Sequence, residues 1–366
     1  MIQVLQIGFS SNPGGVENVV MNYYNMIDKA KFHFDFLDIY GEGIAFSEQI
    51  QKLGGRVIAM PDYKKHPITF FRLLAELLKK GKYDIMHIHM QSLANILPIL
   101  AGKFSGNVQI ICHSHSSSVP NGLVRKVLNG VNTYIIRHMD LHQWACGLRA
   151  GYWMWGKDFS LDNVIPNAID RTKYCRDLAV RKNLRRSCGF TEKEIVLGFV
   201  GRFGEEKNTF HLLDVLEELL NRSDHYRLLT VGGNDLYEDF VKMAQKRELS
   251  KYIYCAGIQS DTYRWYSAMD AFLLPSFFEG FPLVGIEAQS VGLPCFFSNS
   301  ISDEIKISDA TDFLPIGKET ATQWAACIEK RMAQPWQSRE FCEQYDIRYA
   351  IKYLEKKYRN CVIQGG

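Results

Sequence analysis

The chain has 366 residues, enough for two domains that each bury a core, and its 46% hydrophobic and 23% charged content is that of a globular protein. A net charge of +3 is far too mild for a nucleic-acid binder, although the net positive charge lies in the first half, where Lys and Arg outnumber Asp and Glu, and leaves room for a basic face turned to anionic lipid. Nine cysteines without a C-x-x-C pair argue for a reducing compartment and against zinc or a disulfide framework.

The opening MIQVLQIGF lacks a basic leader and a cleavage site, so it reads as a strand, Val4 to Phe9, and the expected location is cytoplasmic. No apolar run reaches membrane-spanning length. SSNPGGVENVV then turns into a helix with Gly14 and Gly15 at its N-terminus. The segment is not G-x-G-x-x-G, so a nicotinamide dinucleotide fingerprint is missing.

Strands at Phe34 to Ile39 and Arg56 to Met60, with a helix between them, continue a βαβ alternation that predicts a parallel sheet. HPITFFRLLAELLKKGKYD is a basic amphipathic helix, packed on a sheet or laid against a membrane surface. Strands Asp84 to His89 and Val108 to His113 end in HIHMQS and CHSHSSS. Ligands bind beyond the carboxyl ends of parallel strands, so these histidines face the expected site. His113 and His115 are expected on opposite sides unless the strand ends between them, and one of each pair is expected to matter. His87, His89, His113 and His115 have no carboxylate at ligand spacing, so no metal is expected. Leu123 to Leu148 reads as helical, with a second basic apolar stretch, VRKVLNGVNTYIIRHM.

Val164 to Asp170, VIPNAID, reads as a strand ending in a Pro-Asn turn, and the second domain begins at 165. After a polar, basic helix comes the strand Ile195 to Val200, then GFVGRFGEEKN, a strand-to-helix loop carrying Arg202 and Lys207. Gly-Lys-Ser/Thr is absent, so this is not a Walker A loop. A planar guanidinium and a point-charge ammonium on one loop suit a diphosphate. Leu228 to Val231 with Gly232 and Gly233, and Tyr252 to Gly257 before Ile258, are further strands and turns.

The densest stretch is PSFFEGFPLVGIEAQSVGLP. Strand Ala271 to Leu274 enters a turn holding Glu279, Gly280, Phe281 and Pro282, and a helix opens at Leu283. Gly280 admits a ligand to the backbone, Pro282 gives up a donor where the helix has spare ones, and the N–H groups that follow favour an anion. Glu287 stands about a turn and a half into the helix. Two carboxylates flanking an anion site fit a ligand with a central diphosphate and a sugar at each end. Cys295 to Phe297 is expected to be the last strand, and Asp346 to Tyr358 a terminal amphipathic helix.

The run Glu279 to Glu287 resembles the E-x7-E signature of retaining glycosyltransferases, and with GGVEN, CHSHSSS and GRFGEEK the text is similar to glycosyltransferase family 4 along almost the whole chain. The resemblance implies an α/β fold of two Rossmann-like domains facing across a cleft (GT-B): an acceptor-side domain at 1–164, a nucleotide-sugar-binding domain at 165–337, and a terminal helix at 338–366 crossing back to the first. It implies that Arg202 and Lys207 bind the phosphates, that Glu279 holds the transferred sugar with His115 beside it, and that Glu287 holds the ribose. Gly14, Gly15, Gly280, Phe281, Pro282 and Leu283 then border the donor, with Gly232, Gly233 and Ile258 at the base. A serine common in the family is replaced by Gly147. The expected reaction moves a sugar with retained configuration from a nucleotide sugar, UDP-linked, without cofactor or metal. The diphosphate oxygen takes the acceptor's proton, as is usually proposed for the family. Similarity of CHSHSSS and GYWMWG to transferases of bacterial capsule and exopolysaccharide assembly points to a saccharide acceptor, lipid-linked, met at the inner face of the cell membrane. The same architecture serves epimerases and phosphorylases, and a non-catalytic partner subunit that binds nucleotide sugar, which remain alternatives.

Overall fold

The computed structural model describes residues 1–106, 108–116, 122–317, 319–334 and 342–364. The chain divides into two compact units, Met1–Ala168 with Gln344–Gly366, and Ile169–Glu343. The boundary read at 337/338 lies outside the described residues.

In the first unit, β1 (Ile2–Ile7), α1 (Gly15–Met26), β2 (Phe32–Asp38), α2 (Ser47–Lys52), β3 (Val57–Ala59), α3 (Pro67–Lys79), β4 (Ile85–Met90), α4 (Leu97–Ser105), β5 (Gln109–Ser114), α5 (Leu123–Arg137), β6 (His142–Ala145) and α6 (Leu148–Trp155) alternate. The strands form one parallel sheet in the order β3-β2-β1-β4-β5-β6. Val4, Leu5, Ile85, Met86, Ile111 and Cys112 are fully buried, the near-continuous apolar lettering expected of strands covered on both faces. The order steps outward from β1 on one side and from β4 on the other, which opens a topological switch point between β1 and β4.

The second unit runs α7 (Leu178–Ser187), β7 (Ile195–Val200), α8 (Phe210–Leu220), β8 (Tyr226–Val231), α9 (Tyr237–Lys246), β9 (Ile253–Cys255), α10 (Thr262–Trp265), β10 (Ala271–Leu274), α11 (Leu283–Ser290), β11 (Cys295–Ser298), β12 (Thr311–Leu314) and α12 (Ala321–Met332). Its parallel order is β12-β11-β10-β7-β8-β9, with the switch between β7 and β10. Asp177 caps α7 by accepting from the amides of Ala179 (2.8 Å) and Val180 (3.0 Å). Arg181 and Arg185 then tie that basic helix to the Asp270 carboxylate at the start of β10, which is how a buried arginine is tolerated.

Helix α13 (Ile347–Gln364) returns to the first unit and packs on α1 and β4. Its Tyr358 sits among Phe32, Phe34, His87 and Trp144, with ring centroids 5.7 to 6.0 Å away. Truncating such a ring to alanine costs about 3 to 5 kcal/mol.

Three expectations are corrected, and one helix is added. The stretch 123–148 is not one helix: α5 stops at Arg137 and β6 pairs with β5, Ile111 opposite His142 through Ser114 opposite Ala145, so sheet pairing overrides a helical pattern. VIPNAID is not a strand; it gives only isolated bridges, at Val164, which pairs with Ala145, and at Ile169, because Pro166 has no N–H with which to continue a ladder. β11 is not the last strand, since β12 pairs beside it. Helix α4, unannounced in the sequence reading, opens on Pro98 in its first turn and ends at left-handed Gly106, φ 76°.

Candidate active site

At the switch point of the second unit, the loop after β7 meets the turn after β10. Asn208, in the left-handed region at φ 50°, donates from Nδ2 to the Pro275 carbonyl at 3.1 Å, and the Phe277 amide donates to the Glu206 carbonyl at 2.8 Å. This lacing sets Lys207 Nζ 2.6 Å from Glu279 Oε1, with both side chains largely buried, 17% and 11% exposed. Ser276 Oγ donates to the same Glu279 oxygen at 2.7 Å. Arg202 stays half-exposed and donates from Nη2 to Glu206 Oε1 at 2.6 Å; that bond holds the guanidinium above its ordinary pKa. Arg202, Lys207 and Glu279 are thus brought to one edge of the sheet. Pro282 is the N-cap of α11, extended at φ −72°, and no side chain among the described residues caps that helix. Gly280, Phe281 and Leu283 flank it, so the helix N-terminus opens beside the Lys207–Glu279 pair.

The glycine turns of β8 and β9 join the same edge. Gly201 donates its amide to Val231, Phe203 to Gly233, and Gly232 to Gly257, at 2.8 to 2.9 Å. Gly232 has φ +132°, and a Cβ there would stand 1.8 Å from the Gly201 carbonyl oxygen, so only glycine fits. A Cβ on Gly233 would meet Ile258 at 3.1 Å, which places these two as neighbours, while Ile258 itself is exposed.

Glu287 departs from the expectation of an open carboxylate. It is buried, and Tyr174 and Tyr266 donate to its two oxygens at 2.9 and 2.6 Å. Burial raises its pKa while the two hydroxyls pull it down. Tyr174 and Tyr266 escaped the sequence reading because YC and RWY carry no motif; only the fold turns them toward Glu287.

In the first unit, Gly14 begins α1 and Glu17 folds back over it, accepting from the amides of Gly14 (3.0 Å) and Ser10 (2.9 Å). Nothing lies within 4 Å of where a Gly15 Cβ would stand. The expectation that His113 and His115 fall on opposite sides is corrected, because residues two apart share a face of a strand. β5 ends at Ser114, the His115 amide donates to Met90 (2.8 Å), and the turn brings the His115 ring 4.1 Å from that of His113. All four histidines join one cluster: His87 Nε2 is 3.1 Å from His113 Nδ1, and His89 Nδ1 is 2.9 Å from His115 Nε2. Burial lowers the pKa of each, His115 to about 3, so the cluster is neutral. His87, His89 and His113 offer nitrogens within 4.8 Å of one another, a spacing that could hold a metal ion. Five of those six nitrogens are already in hydrogen bonds with His113, Tyr358, His115, Gln6 and His87.

Comparison with known proteins follows the same division. The profile described as Glycosyltransferase Family 4 matches residues 13–149 and that of Glycosyl transferases group 1 matches residues 180–347. EpsF of Bacillus subtilis strain 168, named as a glycosyltransferase, is 28% identical over 97% of this chain and 96% of its own. CapH of Staphylococcus aureus, a capsular polysaccharide biosynthesis glycosyltransferase, is 25% identical over 91% and 92%. An Escherichia coli UDP-Gal:α-D-GlcNAc-diphosphoundecaprenol α-1,3-galactosyltransferase is 28% identical over 62% and 60%. Among solved structures, Anabaena Alr3699/HepE in complex with UDP-glucose superposes with a TM-score of 0.76 over 98% of this chain and all of that one, at 15% identity, a likeness of fold. The two Rossmann-like units are those of the GT-B architecture, and the chain belongs to the family 4 glycosyltransferases.

Proposed function

We propose that this glycosyltransferase moves a sugar from a nucleotide sugar, UDP-linked, to a lipid-linked saccharide acceptor in bacterial cell-surface polysaccharide biosynthesis, with retention of configuration and without a metal. The observation that carries the reading is the Lys207–Glu279 pair at the β7/β10 switch point, beside the open N-terminus of α11. The relatives support the donor, acceptor and pathway: CapH is named for capsular polysaccharide, and the E. coli transferase for a UDP-sugar and a diphosphoundecaprenol acceptor.

In this reading the second unit holds the donor. Diphosphate oxygens take hydrogen bonds from Arg202, Lys207 and the first amides of α11, at a helix end suited to anions. Glu279 accepts from hydroxyls of the transferred sugar, and Glu287, steadied by its tyrosines, from the ribose. Gly232, Gly233 and Ile258 border the base, and Gly14, Gly15 and His115 are assigned to the sugar by the family resemblance. As the bond from the anomeric carbon to the diphosphate oxygen breaks, negative charge grows on the leaving group, and the cations fixed by the loop meet it. The acceptor hydroxyl forms the new bond on the same face, and its proton passes to the departing diphosphate.

The lipid-linked acceptor gives α5 a role. Leu123, Val124, Val127, Leu128, Val131, Tyr134 and Ile135 are exposed along it, Val124 at 72% and Tyr134 at 73%, with Arg125, Lys126 and Arg137 among them. α3, the other basic helix, instead buries Phe70, Leu74 and Leu78 in the core. α5 is therefore the surface that meets anionic lipid. No helix among the described residues is long and apolar enough to cross a membrane.

The test is a thermal-shift panel of nucleotides and nucleotide sugars, since a ligand of the folded form raises its apparent stability, followed by measurement of nucleoside diphosphate release with a polyprenyl-diphosphate-linked saccharide. Stabilisation by a uridine nucleotide and acceptor-dependent release are expected. No stabilisation by any nucleotide overturns the reading.

A further inference from the structure

The histidine cluster is one continuous hydrogen-bond chain. His115 Nε2 meets His89 Nδ1 (2.9 Å), His89 Nε2 meets Gln6 Oε1 (2.8 Å), Gln6 Nε2 donates to the Tyr358 hydroxyl (3.3 Å), that hydroxyl meets His87 Nδ1 (2.7 Å), and His87 Nε2 meets His113 Nδ1 (3.1 Å). His113 Nε2 is buried and has no partner among the described residues.

Each neutral imidazole carries one ring proton, and a hydroxyl has one to give. Gln6 sets the sense of the whole chain. Its carbonyl oxygen can only accept, so His89 carries its proton on Nε2 and leaves Nδ1 bare, and His115 must fill that bare nitrogen from Nε2. On the other side the Tyr358 hydroxyl receives from the Gln6 amide and spends its proton on His87 Nδ1, so His87 in turn donates from Nε2 to His113. Every donor points the same way, and the one unpaired polar atom lies at the far end, at His113 Nε2. At the near end His115 keeps a bare Nδ1, an acceptor.

We propose that Tyr358, Gln6 and His89 are positioning residues that act through His115: the terminal helix, by way of one phenol and one amide, fixes His115 in the tautomer whose Nδ1 accepts a hydroxyl of the transferred sugar. The proposal rests on the reading of His115 as a residue of the donor-sugar site. It also gives α13 a task beyond packing, since Tyr358 lies 243 positions from His115 in the chain yet governs its proton. The opposite polarity requires Gln6 to be turned over, and then His115 would present an N–H instead of a lone pair.

The two polarities are separable by nitrogen-15 NMR on histidine-labelled protein, where protonated and bare ring nitrogens resonate far apart and His115 is identified by the signals lost in His115→Asn. His115 with its proton on Nε2 is expected, giving way to a mixture in Tyr358→Phe. Tyr358→Phe should lower kcat about tenfold, the worth of roughly one hydrogen bond, with the donor KM within twofold. That loss should vanish in a His115→Ala background, because a contribution routed through His115 is not additive with its removal. His115 protonated on Nδ1 in the unsubstituted protein, or an equal loss from Tyr358→Phe with and without His115, overturns the proposal. If His115→Ala alone leaves kcat unchanged, the site reading of His115 fails, while the tautomer measurement still decides the chain. Should Tyr358→Phe not fold, Gln6→Leu cuts the chain nearer His115 and carries the same test.

Discussion

Lys207→Ala tests the site most directly, because a structural ion pair and a leaving-group cation give different results. At 2.6 Å and an effective dielectric near 20, two unit charges attract by about 6 kcal/mol, most of it offset by desolvation of two largely buried groups. Removing the ammonium leaves Glu279 with Ser276, so the expected stability loss is about 1 to 2 kcal/mol, a fall in Tm of roughly 3 to 6 °C for a unit of this size. If that were all, the folded fraction at assay temperature would keep its kcat. A preorganised donor that meets charge developing in the transition state is worth far more: its loss costs on the order of 100- to 1000-fold in kcat, about 3 to 4 kcal/mol. Glu279→Gln keeps the cation while breaking the same salt bridge, and its Tm is the control for the pair, since Glu279 also accepts from the sugar in this reading. The assay is nucleoside diphosphate release at saturating donor, with Tm measured on the same preparations. A kcat for Lys207→Ala within threefold of the parent, despite a lowered Tm, would refute the assignment.

Other substitutions separate fold from ligand. Tyr266→Phe removes a hydroxyl that pulls the Glu287 pKa down, so Glu287, already raised by burial, should take up its proton at higher pH. Stability contributed by this group changes in the reverse of the usual carboxylate sense, its penalty present above the raised folded pKa and relieved as pH falls through it. Donor KM should rise several-fold, with the rise beginning at higher pH than in the parent; an unchanged KM–pH profile would remove Glu287 from the ribose. Gly232→Ala, at φ +132° and against the Gly201 carbonyl, should cost about 3 kcal/mol or more in denaturant unfolding. Gly15→Ala meets nothing within 4 Å and should leave Tm unchanged while weakening donor binding by titration; intact binding would clear Gly15 of contact with the ligand. Replacing Val124, Val127 and Val131 by Ser should abolish sedimentation with anionic liposomes at low salt without lowering Tm, and retained sedimentation would take α5 out of the interface.

The elements most legible in the sequence were those whose lettering is set by burial on both faces. Ile195–Val200 and Ala271–Leu274 are apolar runs bounded by Gly or Pro, and both strands sit where that lettering puts them. Legibility failed where partners, not propensity, decide. HQWA becomes a strand only because β5 offers an unpaired edge, and VIPNAID stops being one because Pro166 cannot donate. The site shows the same split. Arg202, Lys207, Glu279 and Glu287 announce themselves because they stand at the strand-to-helix turns, and in the helix that follows one of them, beyond the carboxyl ends of parallel strands. Tyr174, Tyr266, Gln6 and Tyr358 do not, because a tyrosine or glutamine in sequence is as well explained by packing.

Strand alternation at its proper period accounts for the histidine cluster. A period of two puts residues two apart on one face, so His87 and His89 point the same way from β4, as His113 and His115 do at the end of β5, and the register sets Gln6 opposite His87 and His89 opposite His113 on that face. One face of neighbouring strands therefore gathers these side chains at the carboxyl end of the sheet. Gln6, His87, His89, His113 and His115 come from three neighbouring strands and their ends, and α13 supplies the hydroxyl that joins them. The H-x-H spacing encodes each pair, and the meeting of the pairs follows from strand order β1-β4-β5, and so from the crossover between β1 and β4.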